Sequence, residues 1–184
     1  MESLRSLVFS ANFNDIDLIN AMKYEIYEND VRSKIGSASN FPSFTKDMRE
    51  CGISWIPLGK NLIIERVLTD IVKKVNLDKG WNYDLTGWQC NIQYTYYYQP
   101  QDHYDWHVDT LKTSSDQDRR LISIVYCLSK SEDYEGAELQ FKHKGQVLSI
   151  KLDQGDFVVF KSHLLHRVTK LESGERETLV GWYQ

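Results

Sequence analysis

From Trp81 onward the chain consists of short runs rich in Tyr, Trp, Val and Ile, cut apart by Gly, Asp and Ser, and no other feature constrains the fold as strongly. β-Branched and aromatic side chains suit a pleated, half-buried surface, whereas Gly, Asp and Ser mark turns. Strands are predicted at residues 89–98, 104–106, 121–128, 138–142, 146–151, 157–160, 166–170 and 177–182. Eight short strands in succession fit a jelly-roll barrel.

The first part of the chain has a different period. Over residues 15–29, Ile16, Ile19, Met22, Ile26 and Tyr27 recur near helical spacing, with Asn14 or Asp15 available as a cap. Residues 61–76 repeat the pattern through Ile64, Val67, Leu68, Ile71 and Val75, and place Lys73 and Lys74 near the end, where cations complement the helix dipole. Between these helices, residues 31–60 are rich in Ser, Gly and Pro and hold no period, so they read as irregular chain with short extended pieces, a candidate lid or substrate loop. Two helices ahead of a barrel pack on its outer face. The expected architecture is therefore α+β, one domain over 1–184 with a helical part at 1–80 and a jelly-roll catalytic core at 81–184. A chain of 184 residues that is 41% hydrophobic can bury such a core.

Charge and cysteine usage exclude several roles. Charged residues make up 26% of the chain and the net charge is −4, which leaves no broad basic face for bulk nucleic-acid binding. Cys51, Cys90 and Cys127 are odd in number and widely spaced, which argues against a disulfide framework or a structural zinc site and for a reducing, cytoplasmic setting. The first residues carry too little apolar length for a signal peptide. No apolar run approaches the ~20 residues a spanning helix needs, so no membrane association is expected.

His107-Val108-Asp109 is the motif that bears chemistry. On extended chain, residues two apart project from the same face, so both side chains converge on one point. Such a pair is common by chance, and its weight comes from two residues later in the chain. His166 opens a predicted strand in GDFVVFKSHLLHRV, and Arg176 lies ten residues further on in SGERETLVGWYQ. Two imidazoles and one carboxylate make a facial triad that leaves three positions open on Fe(II), two for a chelating 2-oxo acid and one for O₂. A buried Arg is costly unless a carboxylate pairs with it, and a bound diacid supplies one.

The segments YYYQPQDHYDWHVD, RRLISIVYCLSKSEDYEGAEL and LDQGDFVVFKSHLLHRVTKLESGERETLVGWYQ, in this order and spacing, resemble the 2-oxoglutarate and Fe(II)-dependent dioxygenase superfamily, in its prolyl 4-hydroxylase-like branch with the PKHD-type hydroxylases. The resemblance covers about half the chain. It implies a double-stranded β-helix, iron on His107, Asp109 and His166, the distal carboxylate of 2-oxoglutarate on Arg176, and a tyrosine on the strand before the His-x-Asp turn, for which Tyr98 is the best placed. It also implies O₂ as co-substrate, with ascorbate a further candidate, and hydroxylation of an unactivated C–H bond in a prolyl or other residue of a protein or peptide. A free small molecule as substrate, or a non-oxidative cupin-like metal protein, are the alternatives; the second leaves Arg176 without a role. Where the family usually has Gly-Gly before Glu-Leu, this chain has Gly136-Ala137.

The remaining candidates have plainer readings. His103, His143 and His163 read as surface or loop histidines, and strand-like HRVTK favours His166 over His163 as the third ligand. The aromatic set Trp81, Tyr83, Trp88, Tyr94, Tyr96, Tyr97, Tyr98, Tyr104 and Trp106 fits core packing better than a substrate groove. Trp182 reads as barrel filling, Arg119-Arg120 as a solvated turn, and Cys90 and Cys127 as small buried hydrophobes.

Overall fold

The computed structural model describes residues 3–29, 36–37, 46–57, 59, 62–85, 90–110 and 119–184. Helix α1 (Leu4–Leu7) leads into strand β1 (Val8–Asn12), and helix α2 (Ile16–Glu28) follows. Asp15 caps α2 by accepting from the backbone N–H groups of Asp17 and Leu18, donors with no partner inside the helix. Three brief strands come next, β2 (Gly36–Ser37), β3 (Arg49–Glu50) and β4 (Gly52–Trp55), then helix α3 (Ile63–Asp78). The remainder is strand: β5 (Cys90–Tyr97), β6 (His103–His107), β7 (Ile122–Cys127), β8 (Tyr134–Gly136), β9 (Leu139–His143), β10 (Gln146–Ile150), β11 (Asp156–Lys161), β12 (Leu165–Val168), β13 (Leu171–Gly174) and β14 (Arg176–Tyr183). Each strand predicted from the sequence is present, with ends shifted by at most two residues.

Among the described residues the strands form a seven-stranded sheet in the order β1-β11-β7-β14-β5-β4-β2, a five-stranded sheet in the order β10-β9-β12-β6-β3, and a ribbon of β13 and β8. Every pairing is antiparallel. Alternation sorts the side chains of the large sheet between two cores. Ile122, Ile124 and Tyr126 of β7, Ile92 and Tyr94 of β5, and Leu179 and Tyr183 of β14 meet Ile19, Met22 and Ile26 of α2 and Ile64, Leu68, Val72 and Val75 of α3. The alternate residues Tyr97, Val125, Cys127, Val158 and Phe160 face Leu139, Phe141 and Val168 of the smaller sheet. Leu68 is fully buried in the first core, so Leu68→Ala costs about 2–5 kcal/mol.

Two expectations need correction, and the Gly136-Ala137 departure has a structural account. The first 80 residues are not simply helical: β1 and β4 join the large sheet and β3 the smaller one. The sequence VFSAN is too short and mixed to announce a strand, and it becomes one by pairing with β11. Helix α3 runs on to Asp78, so its last turn holds no basic side chain, and Lys74 instead pairs with Asp78 at 2.9 Å. Finally, Gly136 and Ala137 both take positive φ, 75° and 47°. A Cβ at Gly136 would stand 2.2 Å from the Lys170 carbonyl oxygen, so glycine is required there, whereas Ala137 keeps its methyl group in the buried core at a modest backbone cost. Among the described residues no helix is long and apolar enough to cross a membrane.

Candidate active site

His107 ends β6 and His166 lies on β12, and the antiparallel register sets them directly opposite each other. Paired residues of antiparallel strands project to the same face, so the pairing that builds the smaller sheet brings the imidazoles together, with ring centroids 4.1 Å apart. Asp109 follows two residues after His107, and its backbone N–H donates to the Ser162 carbonyl at 2.9 Å, which turns the chain back over the two histidines. Asp109 Oδ1 then lies 3.7 Å from His107 Nε2 and Oδ2 lies 3.4 Å from His166 Nε2. One ligand atom from each of the three residues falls within 4.8 Å of the others, as a shared metal ion requires.

The atoms that would not touch a metal are already engaged. Nδ1 of His107 meets the Asp105 carbonyl at 2.7 Å, and Nδ1 of His166 meets the Leu164 carbonyl at 2.8 Å. A carbonyl only accepts, so both Nδ1 atoms carry a proton, which leaves Nε2 as the ring nitrogen available to a metal in each histidine. Burial, reinforced by His166, pushes the His107 imidazole down to about 3, keeping it neutral. Burial alone would raise the Asp109 carboxyl, but His166, His107 and the Ser123 hydroxyl outweigh it and hold it below its ordinary value. A donor set of this kind binds a divalent ion with its carboxylate ionised and its imidazoles neutral, so metal uptake releases any proton they carry.

Arg176, the first residue of β14, is 1% exposed, and its Nε and Nη2 have no hydrogen-bond partner among the described residues. It sits opposite Tyr97 in the β14–β5 register, with its guanidinium carbon 5.3 Å from the Tyr97 ring centroid. The Tyr134 hydroxyl lies close enough to interact with it. Buried guanidinium donors without an acceptor are costly, and a ligand oxyanion removes that cost. A chelating acid with a second carboxylate therefore fits this chain on two separate counts: the open lone pairs of the triad and the open donors of Arg176.

Tyr98 does not share this pocket. It lies past the end of β5, is 41% exposed, and stacks on Tyr96 at 5.0 Å. The alternation that turns Tyr94 toward the helices turns Tyr97 toward the site and Tyr98 away.

Other side chains around the centre were not identified from the sequence. Arg49 is 5% exposed, donates from Nη2 to Gln93 Oε1 at 2.7 Å, and lies 4.4 Å over the Tyr104 ring, which stacks on the His107 imidazole. Its only signal was the alternation of RECGIS inside a stretch that reads as irregular. Arg120 is not a solvated turn residue: it is partly buried, its guanidinium lies 4.2 Å over the Trp182 ring, and Arg119 alone is exposed. Ser123 and Ser162, both fully buried, meet Asp109 from behind. His163 is exposed, in keeping with the choice of His166. Trp88, residues 111–118 and much of 31–60 lie outside the described residues.

The structure thus brings together two histidines and one carboxylate that could hold a metal ion, and it buries an arginine whose open donors suit an oxyanion. The family model described as 2OG-Fe(II) oxygenase superfamily matches residues 92–184, and the chain belongs to that superfamily. A PKHD-type hydroxylase of Crocosphaera subtropica is 38% identical over 86 residues, a match covering 46% of this chain and 39% of that protein. The chain thus spans about two-fifths of the length of the curated relatives it matches. Among solved structures, a Pseudomonas putida prolyl-4-hydroxylase superposes with a TM-score of 0.71 at 23% identity, covering 96% of this chain and 91% of the other. A Trichoplax adhaerens prolyl hydroxylase, in complex with a hypoxia inducible factor oxygen degradation domain peptide fragment, gives a TM-score of 0.73 at 19% identity, covering 97% and 83%. At these identities the superpositions establish a shared fold.

Proposed function

We propose that the chain is a single-domain Fe(II)- and 2-oxoglutarate-dependent dioxygenase that hydroxylates an unactivated C–H bond in a residue of a protein or peptide, a prolyl residue being the leading candidate. Two observations support this reading: the donor set of His107, Asp109 and His166, and the two open guanidinium nitrogens of the buried Arg176. We read those sheets as a double-stranded β-helix, with α2 and α3 on the outer face of the larger one. His107, Asp109 and His166 hold the metal, and Arg176 takes the distal carboxylate of 2-oxoglutarate. Tyr97, with Tyr134 nearby, takes the place first given to Tyr98.

Bound there, Fe(II) with O₂ and 2-oxoglutarate supplies the oxidant that converts a substrate C–H into C–OH, with succinate and CO₂ as co-products. The protein's own residues do the rest. The carbonyl partners of the histidine Nδ1 atoms hold the Nε2 lone pairs inward, Arg176 fixes the far end of the co-substrate, and the apolar wall of Phe141, Phe160 and Val168 keeps water out of the pocket. Ascorbate would serve as an auxiliary reductant, and a reducing cytoplasm suits the three free cysteines. Support for a peptidyl substrate comes from the names of the hydroxylase relatives and from the peptide bound by the Trichoplax protein.

The test is succinate formation from 2-oxoglutarate with Fe(II), ascorbate and O₂, which proceeds slowly even without a substrate. Wild-type protein is expected to form succinate and Asp109→Ala none. Succinate from both would show that the triad is not the site, and a wild type that neither forms succinate nor binds 2-oxoglutarate would remove the oxygenase reading.

A further inference from the structure

Asp109 is held by two serines that the reaction does not otherwise use. Ser123 lies on β7 with its side chain on the face turned toward the smaller sheet, and its hydroxyl is 2.7 Å from Asp109 Oδ2. Ser162 follows directly after β11, and its hydroxyl is 2.9 Å from that of Ser123. Both are fully buried. A carboxylate only accepts, so the single Ser123 proton points at Asp109, and the Ser162 proton must point at Ser123. The result is a one-way chain, Ser162 to Ser123 to Asp109, in which each bond polarises the next. Ser162 also acts through its backbone: its carbonyl accepts from the N–H groups of Asp109 at 2.9 Å and Thr110 at 3.1 Å.

The chain distinguishes the two carboxylate oxygens. Each oxygen faces one imidazole, Oδ1 at 3.7 Å from His107 Nε2 and Oδ2 at 3.4 Å from His166 Nε2, but only Oδ2 also accepts the Ser123 proton. A carboxylate free on both oxygens can chelate a metal through both and so take two positions; one whose second oxygen is tied down binds through one. The count matters at this centre, because a chelating 2-oxo acid and O₂ need all three positions that a facial triad leaves open.

We infer that Ser123, supported by Ser162, is a positioning residue that restricts Asp109 to one-oxygen coordination and thereby keeps the third metal position open. This rests on the oxygenase reading of the site and adds to it a device for open coordination. A pair of buried hydroxyls that merely satisfied each other would affect folding and metal retention, yet would not separate metal affinity from co-substrate affinity. The proposed role does separate them. Without the Ser123 proton, Asp109 can close on the metal with both oxygens, so the metal stays while the chelating acid loses a position.

The experiment measures two affinities under anaerobic conditions for wild type, Ser123→Ala, Ser123→Thr and Ser162→Ala: Mn(II) for the metal-free protein, and 2-oxoglutarate for the Mn(II)-loaded protein. For Ser123→Ala, Mn(II) affinity is expected to stay within about threefold of wild type while the 2-oxoglutarate dissociation constant rises about tenfold, because the chelating acid competes with the second carboxylate oxygen for a metal position. Ser123→Thr, which keeps the hydroxyl, should return to within about threefold, and Ser162→Ala should shift by about threefold, because Ser123 can still donate. Unchanged 2-oxoglutarate affinity in Ser123→Ala overturns the inference, as does a parallel loss of both affinities, whether or not Ser123→Thr restores it. A wild type that takes up neither Mn(II) nor 2-oxoglutarate would overturn the functional reading itself, an outcome distinct from equal binding by wild type and variants.

Discussion

At the triad, every ligand residue has its outer polar atom engaged: the histidine Nδ1 atoms by the carbonyls of Asp105 and Leu164, and Asp109 by Ser123. At Arg176, a more deeply buried group keeps two guanidinium nitrogens open. Native proteins leave few buried polar atoms unsatisfied, and although Arg120 Nε, His143 Nε2 and Trp182 Nε1 also lack a partner among the described residues, Arg176 alone of these four leaves two nitrogens open. The triad is built to hold geometry, and Arg176 stores a desolvation cost that an incoming carboxylate relieves.

The comparison breaks most plainly at the triad. Asp109→Ala or His107→Ala should lower metal affinity by more than about 100-fold, beyond the usual effect of losing an outer partner, and turnover should vanish with it. Metal titration and then the succinate assay measure the two losses. The next effect is at the other end. Arg176→Met should raise the 2-oxoglutarate requirement about 30-fold or more, since losing one side of a buried, hydrogen-bonded charge pair costs about 2–5 kcal/mol. The same change removes an uncompensated buried charge from the ligand-free protein, so its melting temperature should hold or rise by about 2–4 °C, whereas added 2-oxoglutarate should no longer raise it. A large destabilisation of ligand-free Arg176→Met would mean that the arginine is already satisfied by the protein.

Smaller changes sharpen the boundary between the regions. Arg49 reaches His107 through the Tyr104 ring, so Arg49→Met should weaken metal binding about tenfold with little added effect on 2-oxoglutarate once metal is saturating. Tyr97→Phe should raise the 2-oxoglutarate requirement about tenfold, the worth of one hydrogen bond to a charged group at the low end, and Tyr98→Phe should leave it unchanged. Steady-state kinetics on the two phenylalanine variants distinguishes the inward tyrosine from the outward one.

How much of the fold and site was legible in the sequence depends on how local each cause is. From β5 onward eight strands are announced by short runs bounded by turn residues, whereas β8 and β13, which pair only with each other, are not, and the His-x-Asp pair was readable because residues two apart on extended chain share a face. Placing His166 opposite His107 needed the β6–β12 register, a long-range pairing that no local pattern encodes. Which tyrosine turns inward was obscured by the four tyrosines in YTYYY, whose alternation has no readable phase until the pairing of Arg176 with Tyr97 fixes it. Arg120 read as solvated because its partner, the Trp182 ring, comes from the far end of the chain. β1, β3 and β4 are strands through tertiary pairing alone, their own propensity being too weak and their length too short.

The central claim is that the triad and Arg176 serve one chelated co-substrate. Anaerobic addition of 2-oxoglutarate to Fe(II)-loaded protein, monitored by the visible charge-transfer absorption of the chelate, tests it most directly. The account predicts a saturable band in wild type, the same band at much higher 2-oxoglutarate in Arg176→Met, and none in Asp109→Ala. A band that saturates at the same concentration in wild type and Arg176→Met, or one that survives in Asp109→Ala, would contradict it.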